Sequence, residues 1–280
     1  MKPRIVVTID LERDFPNGLH GSFLGITEGL PNLLGVLEEL DVLSDFFVSL
    51  EVAERFGSTI RDLKARGHYL GNHGSQHGYL CTKDAKAQHE DISESTEVMT
   101  ELLSSRPVFF RAPQFGADGN TILALEDLGY QVDSSVLPGR LVRQRFLGKV
   151  LDFTDAPLGV YHPSHEDITK EGQSPIVEIP LTENVLRRGT PLGMGFVNSE
   201  GAEAAIAASR AHKGEYVTFL IHPWECIDIV ESFPHLPKYL VNECSSDMSD
   251  FRRMLKGLLD LGDFTNLVHL ANEHRGVKTE

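Results

Sequence analysis

Several short apolar runs of this sequence end in a residue that can do acid–base or metal chemistry. The residues that directly follow such runs are Asp10, His73, Arg111, Asp133 and His222. Apolar runs of this length are typical of strands buried in a sheet. In parallel α/β folds, the carboxyl ends of the strands meet on one face, and active sites form there. The sequence therefore predicts that these side chains share one site.

Glu12, His73 and His77 have the residue types and spacing of a metal site. The two histidines are four residues apart, which on a helical turn places both imidazoles on one side. Two neutral imidazoles and one carboxylate form a common catalytic metal site that leaves positions for water and substrate. Each motif also has an ordinary alternative. The histidines can be exposed residues of a Gly-rich loop, and Asp10-Leu-Glu12 can be a charged strand end.

Arg111 and His222 are the remaining candidates for chemistry. Arg111 lies between aromatic residues and a proline, so its guanidinium should be partly buried and should need an anionic partner. His222 ends the most apolar strand and is followed by Pro223 and the only tryptophan, Trp224. The alternatives are a structural salt bridge for Arg111 and a core histidine for His222.

The elements that must position these residues alternate between strands and helices, which favours a parallel sheet, open or closed into a barrel. The predicted strands are Arg4–Ile9, Phe46–Leu50, His68–Asn72, Val108–Phe110, Tyr130–Val132, Ile176–Ile179, Val217–Ile221 and Asn266–Leu270. The predicted helices are Thr27–Leu40, Glu51–Arg66, Lys83–Leu103, Asn120–Leu128, Glu200–His212 and Asp250–Leu261. We expect one domain over residues 1–280, with a long loop or small subdomain at about 137–175.

The composition excludes several classes of protein. Apolar residues make up 41% of the chain and the formal net charge is −15, which argues against a nucleic-acid or anionic-membrane partner. No apolar window reaches the length of a membrane helix, and no signal peptide is evident. Three widely spaced cysteines suit a reducing compartment. We therefore expect a cytoplasmic globular protein, and the sequence leaves its oligomeric state open.

As a set, these residues resemble the polysaccharide deacetylase superfamily, which is also called carbohydrate esterase family four or the NodB-homology domain. The motifs run in the family's order over residues 8 to 223. They read Thr8-Ile-Asp10-Leu-Glu12, His73-Gly-Ser-Gln-His77, Arg111-Ala-Pro113, Asp133-Ser-Ser135 and Leu220-Ile-His222-Pro223. In detail they look most like the subgroup linked to exopolysaccharide systems.

The resemblance implies a fold, a cofactor and residue roles. The fold is an α/β, distorted (β/α)7-type barrel with parallel strands, and the cofactor is a divalent metal, usually zinc, with cobalt or nickel as alternatives. Asp10 matches the catalytic base, Arg111 the residue that keeps the base ionised, and His222 the general acid. The matching metal ligands are Glu12, His73 and His77. We also predict that Pro113, Asp133 and Trp224, which lie in or next to the quoted motifs, contact the substrate.

The sequence departs from the family pattern at two places. Position 11 is Leu where commoner relatives have adjacent aspartates, so the carboxylate ligand is Glu12 or Asp14. Val136 and Leu137 stand where many relatives have an Asp-Trp pair, whose Asp orients the acid histidine. Another carboxylate, Glu178 or Glu225, would have to orient His222, or none does.

The expected activity is metal-dependent hydrolysis of an amide C–N bond. The predicted reaction is N-deacetylation of an amino sugar or polysaccharide. The alternatives are a metal-independent allantoinase-like or cyclic-imidase-like hydrolase, a deformylase, and a degenerate barrel that binds sugar without cleaving it. Arg143 and Arg145 belong to a basic segment of an acidic chain. They either form a solvated face or bind an anionic group of an N-acylated substrate.

Overall fold

A computed structural model describes residues 2–14, 22–75, 78–145, 148–228, 234–235 and 244–277. Its strands are β1 Arg4–Leu11, β2 Asp45–Val48, β3 Tyr69–Asn72, β4 Phe109–Phe110, β5 Val132–Asp133, β6 Leu141–Gln144, β7 Gly148–Asp152, β8 Val177–Glu178, β9 Tyr216–Ile221 and β10 Asp263–Phe264. Its α-helices are α1 Leu30–Glu39, α2 Leu50–Arg55, α3 Gly57–Ala65, α4 Ala85–Leu103, α5 Gly119–Asp127, α6 Met194–Glu200, α7 Ala202–Ala211, α8 Ser249–Leu261 and α9 Leu267–His274.

The main sheet has eight strands and is parallel throughout. β9 pairs with one edge of β1 along Arg4–Ile9, while β2 and the short β10 share the opposite edge. From β2 the order continues through β3, β4, β5 and β8. Strands β2 and β9 are buried at every position, as expected for a parallel sheet that is covered on both faces.

The sheet curls until its two ends approach each other. The segment after β8 reaches β9 through two threonines: the Thr182 N–H donates to the Thr218 hydroxyl oxygen (2.7 Å), and the Thr218 N–H donates to that of Thr182 (2.9 Å). The predicted parallel α/β fold with a distorted barrel is confirmed. Its carboxyl strand ends therefore face a common space, which is where the candidate site lies.

Two local predictions differ from the structure. The strand predicted at Asn266–Leu270 is wrong, because Asn266 caps α9 by accepting a hydrogen bond from the His269 N–H (2.8 Å). Leu267, Leu270 and Ala271 are buried, and their spacing follows the helical period. The helix predicted at Glu51–Arg66 is divided at Phe56 into α2 and α3.

The region predicted as a long loop or small subdomain, at about 137–175, contains an antiparallel hairpin of β6 and β7. The assignment of 1–280 to one domain stays a prediction. No helix within the described ranges has the length and apolar character needed to cross a bilayer.

Asp45, at the start of β2, gives the fold a pH-dependent stability. Its Oδ2 accepts a hydrogen bond from the Leu267 N–H (3.0 Å), and burial raises the pKa of this carboxyl to about 8. In the unfolded chain the pKa is about 4. Between about pH 4 and pH 8 the folded protein therefore holds a proton that the unfolded chain has lost. Over that range the free energy of unfolding falls as pH rises, by about 1.4 kcal/mol per pH unit.

We expect Asp45→Asn to remove this contribution, because the amide is neutral and its oxygen still accepts from Leu267. Urea unfolding of both proteins at pH 5, 6.5 and 8 measures it. The variant should gain stability relative to wild type as pH rises, and equal pH profiles would contradict the prediction.

Candidate active site

Asp10 and Arg111 form a buried ion pair at the carboxyl ends of β1 and β4. Asp10 Oδ1 accepts a hydrogen bond from Arg111 Nη1 at 2.7 Å, and the guanidinium is fully buried. Arg111 also donates to the Thr8 hydroxyl oxygen (3.1 Å), to the Ser134 carbonyl oxygen (2.9 Å) and to the Ser134 hydroxyl oxygen (3.1 Å). Its Cζ lies 4.0 Å from the centre of the Phe47 ring. The guanidinium is thus held on several sides and presents one N–H to the carboxylate.

His73 and Glu12 lie next to this pair. His73 Nε2 is 3.4 Å from Glu12 Oε2 and 3.8 Å from Asp10 Oδ2. His73 Nδ1 is 2.8 Å from the Arg111 carbonyl oxygen. Because a carbonyl only accepts, Nδ1 carries the proton and Nε2 of the neutral ring has a free lone pair toward the carboxylates. Burial by itself lowers the pKa of His73, but Asp10 and Glu12 raise it above its ordinary value.

His222 approaches the carboxylates from the end of β9. Its Nε2 is 4.0 Å from Asp10 Oδ2 and 3.8 Å from Glu12 Oε1, while its Nδ1 is 3.5 Å from Glu225 Oε2. Burial alone would lower the pKa of His222, but Glu225, Asp10 and Glu12 together raise it to about 9. The imidazole is therefore protonated at neutral pH. The Trp224 ring is stacked on it, with ring centres 5.1 Å apart.

The donors that the structure describes fit part of a divalent-cation site. Two ligands about 2.0–2.1 Å from one tetrahedral cation lie about 3.4 Å apart, and Glu12 Oε2 and His73 Nε2 are 3.4 Å apart. The tautomer of His73 is the one that binds metal through Nε2. His77 lies outside the described residues, and the described residues alone include no cluster of three side chains able to hold an ion.

Asp14, the alternative carboxylate, is bound to the backbone of another segment. Its Oδ1 accepts a hydrogen bond from the Gly25 N–H at 2.9 Å. Burial raises the pKa of Asp14. No contact links Asp14 to His73 within the described part of the chain, so the geometry favours Glu12 as the carboxylate ligand.

Two cavities are lined by residues of the charged cluster. A polar cleft of about 350 Å³ is lined by Glu12, Arg13, Ser49, Glu51, His73, Ser75 and Pro113. A smaller cavity of about 170 Å³ is lined by Arg187, Thr190, Pro191, Gly193, Gly195, Phe196, Leu220, His222 and Glu225. A substrate thus has room beside Glu12 and His73, and a further space lies beside His222.

The other predicted site residues lie in different surroundings. Pro113 lines the cleft and Trp224 packs on His222. Asp133 is fully buried and bonded to Ser135, with its pKa raised by burial. Its contact with substrate stays a prediction. The same holds for Arg143 and Arg145, which are exposed on or just after β6.

Some residues of the site were missed by sequence reasoning. Thr8 and Ser134 bind Arg111, and Ser49, Glu51 and Ser75 line the cleft. Thr8 is two residues before Asp10 and so points to the same side of β1. Ser49 directly follows β2, which ends at Val48. It was not identified because the strand was predicted to continue to Leu50.

Comparisons with known proteins find similar sequences and similar folds. Residues 3–132, just under half of the chain, match the family model described as polysaccharide deacetylase. Over 86 residues, the chain is 29% identical to a peptidoglycan-N-acetylglucosamine deacetylase of Bacillus cereus, which covers 31% of each protein. The chain spans about a third of the length of the first curated relatives that it matches.

Solved structures show the same fold. A putative polysaccharide deacetylase from Mycobacterium smegmatis superposes with a TM-score of 0.68 at 18% identity, covering 100% of this chain and 93% of that one. Puue allantoinase superposes with a TM-score of 0.66 at 16% identity, covering 98% and 90%. The chain is thus similar to polysaccharide deacetylases in sequence over residues 3–132, and it shares its fold with these solved structures. The exopolysaccharide subgroup stays a prediction.

Proposed function

We propose that this chain, on its polysaccharide deacetylase scaffold, hydrolyses an amide C–N bond with the help of a divalent metal. N-deacetylation of an amino sugar or polysaccharide is the reaction that fits best. The observation behind this proposal is that the Nε2 atoms of His73 and His222 each lie within 4.0 Å of a carboxylate oxygen of Asp10 and of Glu12. Arg111 binds the other oxygen of Asp10. The names of the curated relatives, which are sugar-polymer deacetylases, support the same class of reaction.

Glu12 and His73, with His77 from the sequence motif, would hold the metal, with zinc favoured over cobalt or nickel. When bound, such an ion polarises the acyl carbonyl and lowers the pKa of water. Asp10 is not counted among the metal ligands in this proposal. Its Oδ1 accepts a hydrogen bond from Arg111, and its Oδ2 lies 3.8 Å from His73 Nε2 and 4.0 Å from His222 Nε2.

Asp10 is the general base in this proposal. The Arg111 guanidinium binds Oδ1 and leaves Oδ2 facing the site, so Asp10 can accept the proton of the attacking water. His222 is the general acid. It is protonated at neutral pH and gives its Nε2 proton to the departing amine, without which the C–N bond does not break readily. After one turnover Asp10 has gained a proton and His222 has lost one. Proton exchange with the solvent then restores both residues to their starting states.

The cleft beside Glu12 suits a sugar rather than an apolar ligand. Its walls carry hydroxyl, carboxylate and guanidinium groups, and Arg13 is paired there with Glu51. Hydroxyl-rich substrates are bound by such polar groups at fixed positions. Pro113, Trp224 and Asp133 are proposed substrate contacts, and Arg143 and Arg145 are proposed contacts to an anionic group of the substrate. A cytoplasmic location is likewise a proposal.

The metal content of freshly purified protein tests this function first. We expect about one equivalent of zinc or a similar ion per chain by elemental mass spectrometry, and its loss in His73→Ala and in His73→Ala/His77→Ala. His89→Ala is a matched control, because this exposed histidine pairs with Asp127 away from the site. Such a result would justify assays on N-acetylated sugars. Correctly folded wild-type protein that binds no metal would contradict the mechanism and direct assays to cyclic ureides and imides.

A further inference from the structure

We propose that Glu225 is the positioning residue that holds the His222 ring in the orientation needed for proton transfer. The inference rests on the proposed function, in which His222 is the general acid. It does not follow from the family pattern, because Val136 stands where many relatives have the start of an Asp-Trp pair. The carboxylate comes instead from the segment that carries the histidine.

The local backbone brings Glu225 back to His222. A single turn of 3₁₀ helix, Pro223–Cys226, follows β9 directly, and residues three apart eclipse each other in such a turn. Glu225 Oε2 accepts a hydrogen bond from the His222 backbone N–H at 2.7 Å and lies 3.5 Å from Nδ1 of the ring. The opposite ring nitrogen, Nε2, thereby faces Asp10 and Glu12.

The Glu225 carboxylate is itself held in place. Its Oε1 accepts a hydrogen bond from the Gly195 N–H at 3.1 Å, and only 7% of the residue is exposed. The backbone carbonyl of Glu225 accepts from the Asn198 side-chain amide at 2.8 Å and from the Ser245 N–H at 3.2 Å. A group anchored at both oxygens and at its backbone can fix the ring beside it, as in carboxylate–histidine pairs generally.

Trp224 restrains the ring from one face, and the other candidate carboxylate has a different partner. The indole stacks on the imidazole with an interplanar angle of 25°. Glu178 accepts a hydrogen bond from the Val136 N–H at 3.0 Å, and its pKa is raised by burial and by the neighbouring Asp133. Of the two carboxylates considered from the sequence, Glu225 is therefore the one beside His222.

The test compares Glu225→Gln with two companion variants. The amide keeps an oxygen for the His222 N–H but loses the negative charge toward Nδ1. We expect kcat to fall by about 10- to 100-fold, with KM and bound metal within about twofold of wild type. Glu225→Asp, which keeps the charge, should recover part of kcat. Glu90→Gln is the same change at an exposed position of α4, where Glu90 pairs with Lys86 away from the site, so its kcat should stay within about twofold of wild type.

Fluorescence supplies a readout that needs no activity. Trp224 is the only tryptophan of the chain, so emission reports on the ring stacked upon it. We expect the emission of Glu225→Gln to shift toward that of His222→Ala, and the emission of Glu90→Gln to match wild type. Unchanged kcat and emission in Glu225→Gln would overturn the inference, as would equal losses in Glu90→Gln. A shifted emission in a protein without deacetylase activity would refute the proposed function and retain the positioning role.

Discussion

Asp10→Asn should lower kcat by about a thousandfold while the protein still binds its metal. The estimate follows from the usual contribution of a positioned general base, about 10²- to 10⁴-fold. An amide cannot accept the proton of the attacking water, although its oxygen can still accept the hydrogen bond that Arg111 gives to Oδ1 at 2.7 Å. The metal should remain, because Glu12 Oε2, and not Asp10, is the carboxylate oxygen nearest His73 Nε2.

Steady-state kinetics on an N-acetylated sugar and metal analysis of the same preparation measure this effect. Glu12→Gln is the complementary variant and should lose the metal. Asp260→Asn, at an exposed position of α8, should behave as wild type in both assays. Loss of metal in Asp10→Asn with retention in Glu12→Gln would show that the base and the ligand are exchanged. Undiminished turnover in Asp10→Asn would remove Asp10 as the base.

Arg111→Met should destabilise the fold by about 3–5 kcal/mol, because removal of one partner of a buried ion pair leaves an uncompensated charge. Arg111 is fully buried, and Asp10 is 2% exposed. The substitution also leaves the Thr8 hydroxyl and two acceptors of Ser134 without their donor. The change should be seen as a lower midpoint in urea unfolding at pH 7, for metal-free and metal-loaded protein alike.

A second arginine serves as a control, because it separates the effect of breaking the buried ion pair from the effect of removing an arginine side chain. Arg253 on α8 is 59% exposed at its side chain and pairs with Asp250, so Arg253→Met should change the free energy of unfolding by no more than about 0.5 kcal/mol. The double variant Asp10→Asn/Arg111→Met has no unpaired carboxylate at position 10. Its free energy of unfolding should therefore be higher than that of Arg111→Met alone. A loss of less than about 1 kcal/mol in Arg111→Met would mean that water or a bound ion compensates Asp10.

Much of the fold was predictable because its signals are local. The parallel α/β class follows from alternating apolar runs and amphipathic segments. The bounds of β1 to β5, β8 and β9 differ from those predicted by a few residues, whereas β6, β7 and β10 were not predicted. The failures are also local in origin. Asn266–Leu270 has the apolar content of a strand, but the cap at Asn266 and the burial of Leu267 and Leu270 belong to a helix.

The sequence allowed us to predict which residues form the candidate site, but not which of them contact each other. Strand-end positions alone identified Asp10, His73, Arg111 and His222, because parallel strands bring their carboxyl ends to one face. The choice of Glu12 over Asp14, and of Glu225 over Glu178, required the tertiary structure. Those choices depend on side-chain orientation and on the hydrogen bonds already made by each carboxylate.

The sequence by itself determined which residue types stand at the ends of the strands, and hence the class of chemistry that the chain can do. Only the tertiary structure decided which of them touch. Asp10 and Arg111 are 101 residues apart in the chain, yet they share a 2.7 Å hydrogen bond. The periodicity of apolar residues shows which side of a segment is buried, but it does not show which other segment covers that side. A contact such as this one depends on how distant segments pack together. In a close-packed interior that arrangement is set by all the neighbours at once.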